Sequence, residues 1–126
     1  MNALTRIRWP WVLLGAVLVE VALLIVAIPM YLLPNGAIIV LYAVLPLCLI
    51  GGFFGGLWVA RKAGRLFVLH GVLVGAVAAL LYAALTWKTA LPAIYVASNY
   101  LKLIAGAAGG LVAQRMATRG ASPHAA

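Results

Sequence analysis

The run from Trp9 to Leu33 is apolar along its length except for one residue near its middle, Glu20. Roughly 20 helical residues cross the about 30 Å of hydrocarbon in a bilayer, so a run of this length and polarity is read as a membrane helix. Glu20 is the only acidic side chain among the 126 residues. A carboxyl group at that depth is costly unless it is paired or put to use. The remaining chain is therefore read around it.

Composition supports the same class. Soluble proteins carry about 25% charged residues, whereas this chain carries 8% with 67% apolar residues and a mean hydropathy of +1.19. The formal charge of +8 and pI near 10.4 would suit a nucleic-acid binder. Its basic residues, however, sit in short segments flanking apolar runs and not on one face of a soluble element, which argues against nucleic acid and for topology. The single cysteine, Cys48, lies within an apolar run and reads as a small core hydrophobe. The first run is too long for a signal-peptide core and no small-x-small cleavage site follows it, so an uncleaved first span is expected.

Four spans are expected, at about 10–33, 37–60, 66–87 and 92–113, followed by a loose tail over 114–126. Pro10 suits the first turn of the first span, and Pro34-Asn35-Gly36 closes it with a tight turn. The second span contains Pro46 and the string Gly51-Gly52-Phe53-Phe54-Gly55-Gly56, two overlapping small-xxx-small pairs that let helix backbones approach closely. The basic turn Arg61-Lys62-Ala63-Gly64-Arg65 leads to a third span with His70 about one turn inside. Here Gly71, Gly75, Ala79 and Ala83 recur every four residues. Pro92 opens the fourth span, in which Tyr95, Asn99, Lys102, Gly106 and Gly109 share one helix face, with Gly110 adjoining it.

The nine basic residues set the orientation. Arg6, Arg8, Arg61, Lys62, Arg65, Arg115 and Arg119 fall at one end of the bundle. Only Lys88 falls at the other, and Lys102 lies within a span. The positive-inside rule for short loops then places both termini in the cytoplasm. Trp9, Trp11 and Trp58 belong to the inner membrane interface, and Tyr31, Tyr42, Tyr82 and Tyr95 to the outer one.

By helix rise, Glu20 lies about 15 Å from the inner end of the first span. Lys102, on an antiparallel span, reaches similar depth. Facing each other, the two would reduce the cost of burying either. That pair can be a structural clamp between the first and fourth spans, giving register more than stability. Alternatively, Glu20 can bind protons or a cationic ligand. His70 reads as a satisfied interfacial histidine, with a proton relay to Glu20 as the alternative. Asn99 completes the polar set. No cofactor or metal is expected, since one Glu, one His and one Cys are scattered over three spans. With so few acid, base or ligating groups, an enzyme is not expected either.

Two resemblances accompany these readings. Residues Trp11 to Glu20 and on to Val21 resemble the first helix of the small multidrug resistance transporters over about eleven residues. That resemblance implies a proton-exchanging role for Glu20. The Gly-Gly-x-x-Gly-Gly string, the basic turn and Leu69-His70-Gly71-Val72-Leu73-Val74-Gly75 resemble small uncharacterised bacterial four-helix membrane proteins. Over about half the chain, this second resemblance implies a fold and a bacterial inner membrane, and no activity. The expected protein is a non-enzymatic, all-α four-span bundle in the lipid bilayer, acting as an accessory subunit of a homo-oligomer or larger complex. The competing expectation is a small proton-coupled transporter or channel.

Overall fold

The computed structural model describes residues 3–90 and 92–120. Among these, every regular element is helical: α1 (Ala3–Arg6), α2 (Trp9–Tyr31), α3 (Gly36–Ala63), α4 (Phe67–Leu85) and α5 (Ala93–Gly120). Helices α2 to α5 are each long and apolar enough to cross a membrane. The chain is a four-helix membrane bundle, preceded by one short helical turn.

Local chemistry sets the breaks. At the α2–α3 turn, Asn35 adopts φ 59°, and Gly36 N–H donates to the Leu33 carbonyl at 2.8 Å. A Cβ on Gly36 would collide with the carbonyl oxygens of Met30 and Tyr31, so only glycine permits so tight a turn. Helix α3 stops at Gly64, whose φ of 70° is the left-handed cap that favours glycine. Two residues on, Leu66 also takes a left-handed conformation, φ 48°, which is unfavourable for a side chain with a Cβ. Pro29 and Pro46 both lie inside helices that continue past them, as neighbouring helices in a membrane bundle allow.

The helix bounds match the expected spans to within a few residues, except at the end of α5. A loose tail was expected from Gln114, but α5 continues to Gly120. The apolar run ends there while the helix does not. Gln, Arg, Met and Ala are good helix formers outside the bilayer, and Thr118 Oγ1 donates back to the carbonyls of Gln114 and Arg115 at 3.2 and 3.0 Å. Residues 121–126 of that expected tail lie outside the described residues.

Helices α3 and α4 form the middle of the bundle. Each packs against the other and against both α2 and α5, whereas α2 and α5 occupy opposite corners and barely approach each other. Helix α2 buries a single stripe, Val12, Gly15, Ala16, Val19 and Glu20, at the spacing of one helix face. Its other faces, with Leu13, Val17, Val21 and Ile25, are exposed as lipid contact requires. At the basic end, Trp11 meets Trp58 edge to face at 5.7 Å, and Lys62 lies 5.8 Å over the Trp11 ring.

The doubled glycines of α3 serve two neighbours. Gly52 and Gly56 are buried against α5, where an added methyl would meet the backbone of Lys102 and Gly106 respectively. Gly51 and Gly55 face α2, toward Val19 and Leu23. On α4, Gly71 and Gly75 abut the α5 backbone at Gly106 and at Lys102–Leu103. Helix α5 answers with Gly106 on Gly71, Gly109 on Phe53 and Leu57, and Gly110 on Phe67 and Val68. Close backbone approach through small residues is how membrane helices gain packing in the absence of a hydrophobic drive.

Candidate functional site

The centre of the bundle is a charge pair. Lys102 Nζ donates to Glu20 Oε1 in a buried salt bridge, with the side chains 2% and 8% exposed. The match in depth expected from sequence is realised, but its route differs from the expected one. A clamp between packed first and fourth spans was expected, whereas α2 and α5 are not packed partners. Lys102 has its backbone against Gly52 of α3 and Gly75 of α4. Its long side chain therefore crosses the layer formed by those two helices to reach α2. The small-residue face around Glu20 (Ala16, with Ala27 further along) admits α3 and α4 and not α5. The sequence pattern showed which faces are small, but it does not say which helix fills them.

Other groups surround the pair. The Lys102 ammonium stands 5.1 Å from the Tyr82 ring centroid, within cation–π range. Ser98 Oγ and Asn99 Nδ2 both donate to the Tyr95 carbonyl, at 2.7 and 2.8 Å. Asn99 Oδ1 is buried and has no hydrogen-bond partner among the described residues. A buried acceptor left unmatched costs about 1–3 kcal/mol, so this atom requires a donor.

These groups line a chamber of about 100 Å³ whose walls also include Val40, Val44, Leu47 and Cys48 of α3. Leu24, Ala27, Val40, Tyr82 and Tyr95 line both this chamber and a larger recess of about 790 Å³. The recess extends past Tyr31, Leu32, Thr89 and Pro92, at the end carrying residues 32–35 and 86–90. The recess and the chamber thus adjoin along a stepped cleft, with the recess at that loop end and the chamber at Glu20. Toward the basic end, Val12, Ala16, Val59 and Val74 are all fully buried and fill the bundle.

His70 belongs to a different place. It is fully buried; Nε2 accepts the Arg8 backbone N–H at 3.1 Å, and Nδ1 lies 3.0 Å from the Leu66 carbonyl. Both contacts are satisfied by the neutral ring with its proton on Nδ1. His70 therefore ties the start of α2 to the left-handed turn before α4 and does not line the chamber. The interfacial reading fits this geometry.

The site residues absent from the sequence reading are Cys48, Tyr82, Tyr95 and Ser98 as cleft lining. Tyr82 looks like an aromatic-belt residue in sequence, and nothing marks it as turning inward; Tyr95 reads as a belt residue too, although it shares a helix face with Asn99 and Lys102. Cys48 lies in an unbroken apolar run. Among the described residues, no group of three His, Cys, Asp or Glu side chains comes together.

Comparison with known protein families, curated proteins and solved structures gives no match to this chain, so its geometry is what any functional reading rests on.

Proposed function

We propose that this chain is a non-enzymatic multi-pass protein of the bacterial inner membrane, with both termini cytoplasmic, that serves as a helix-packing subunit of a membrane complex. The orientation rests on the seven basic residues at the terminal end against Lys88 at the other. The observation that carries the packing role is a groove of about 530 Å³ between α4 and α5. It is lined by Ala79 and Ala83, the continuation of the α4 small-residue stripe beyond the α5 contact, together with Ala76 of α4 and Val96, Asn99 and Leu103 of α5. Gly71 and Gly75 of that stripe are covered by α5, whereas Ala79 is half-buried and Ala83 exposed. A small-residue trough at membrane depth suits a further transmembrane helix.

Purification from native membranes in mild detergent tests this reading. The chain should elute in a defined complex, as a homo-oligomer or with another membrane protein. Ala79→Leu, which fills the trough without touching the central pair, should release the monomer. A wild-type chain that elutes as a monomer under conditions preserving other membrane complexes would contradict the reading.

A second reading has its own support. The stepped cleft ends on Glu20, as a proton-coupled transporter or channel requires of its working carboxylate. Four helices enclose little alone, so this reading also calls for an oligomer. Flux in proteoliposomes that disappears with Glu20→Gln would favour it.

A further inference from the structure

We infer that the cleft is a water-filled half-channel through which one face of the membrane, the face carrying the loop at 86–90, exchanges protons with the Glu20–Lys102 pair. This deepens the second reading above but needs no transport: access from one face is the whole claim. Three observations carry it. The chamber above the pair, at about 100 Å³, accommodates several waters but is too small for a lipid chain, and it shares five lining residues, Leu24, Ala27, Val40, Tyr82 and Tyr95, with the larger recess toward the loops. Its lining holds an ion pair and the orphaned acceptor Asn99 Oδ1, the polar partners that a buried water needs. Below the pair, Val12, Ala16, Val59 and Val74 close the bundle.

The exchange is a simple transfer. A hydronium in the chamber gives its proton to the Glu20 carboxylate, leaving water and a neutral acid, and Lys102 is left as an unpaired ammonium facing the Tyr82 ring. The titratable groups facing the pair are Cys48 from α3, Tyr82 from α4, and Tyr95 together with Lys102 itself from α5. Helix α2 contributes Glu20 alone. His70 stands on α4 about 18 Å by helix rise from Tyr82, on the closed side.

Two features of the sequence make the test direct, because Cys48 is the only cysteine and Glu20 the only acidic side chain. In oriented vesicles, silver ion is added to one face and unreacted thiol is then counted by alkylation after denaturation. Thr89→Cys in a Cys48→Ser background identifies the loop face. Silver at the loop face should block Cys48 at least ten times faster than silver at the other face, and Ala27→Trp, which plugs the neck, should remove that advantage. In parallel, lowering the pH on the loop side alone should raise the infrared carboxylic-acid band that is missing from Glu20→Gln. Cys48 protected from both faces, or blocked equally from both, overturns the half-channel. A carboxyl band that follows the other face, or never responds, overturns the proton exchange. One-sided access without proteoliposome flux would retain this inference and reject the transporter reading.

Discussion

Glu20→Gln and Lys102→Met are each expected to destabilise the bundle, by about 3–5 kcal/mol for a dry site and by less where chamber water reaches the stranded group, while the double variant recovers much of that loss. The two side chains are in contact and nearly inaccessible. Removing one therefore strands a charge at the centre of a low-dielectric structure. The asymmetry matters for interpretation: a buried pair is often no more stable than a well-packed apolar pair, yet breaking it from one side is expensive. Its contribution here is register. Helices α2 and α5 barely approach each other, and among the described residues this is the salt bridge that connects them. Reversible unfolding in lipid or mild detergent measures the cycle. Additive losses in the double variant would show that the two groups do not interact.

The second large effect concerns Gly106. A methyl group at Gly106 would run into the Gly71 carbonyl oxygen, and one at Gly71 would run into that of Gly106. Because the contact is backbone to backbone on both sides, no side chain can rotate away. Overpacking costs about 1–3 kcal/mol where side chains can adjust, so Gly106→Ala should reach at least the upper end and Gly106→Leu should prevent assembly of α4 with α5. Gly51→Ala is the contrasting change. Its new Cβ would lie 3.5 Å from Leu23 Cδ2 and Val19 Cγ1, an ordinary contact, and losing a mid-helix glycine gains up to about 1 kcal/mol of helix propensity. It should be neutral or stabilising in thermal unfolding. Equal tolerance of Gly51→Ala and Gly106→Ala would mean that α4 and α5 are not in backbone contact.

Much of this fold is legible in the residues. Apolar runs of bilayer length, broken by Pro34-Asn35-Gly36, by the basic turn and by Pro92, give four spans because hydrocarbon thickness leaves few alternatives. The shared depth of Glu20 and Lys102 follows from helix rise alone. What periodicity conveys is the composition of each face, and it is silent on which helix covers that face. Hence the α2–α5 diagonal, with Lys102 reaching across α3 and α4, was not legible. For the same reason the glycine doublets announce close packing without revealing that Gly51 and Gly55 serve α2 while Gly52 and Gly56 serve α5. The cleft was hidden because Tyr82 is as suitable for an interface as for a pocket wall, and because the face shared by Tyr95, Asn99 and Lys102 does not reveal what it looks onto. The extension of α5 to Gly120 was missed because hydropathy marks where a bilayer ends, and a helix with its own backbone bonds can continue into water.

Glu20 and Lys102 touch across the bundle. Because the chain has a single acidic side chain, ¹³C-labelled glutamate and ¹⁵N-labelled lysine give a solid-state NMR dipolar coupling that can involve only Glu20 on the carboxyl side. In lipid bilayers, a carboxyl carbon-to-ammonium coupling at salt-bridge range, with N···O within about 4 Å, is the predicted result, and it should vanish in Lys102→Met. A wild-type spectrum without that coupling would show that Glu20 has no lysine partner, and a coupling that survives Lys102→Met would show that Lys102 is not that partner.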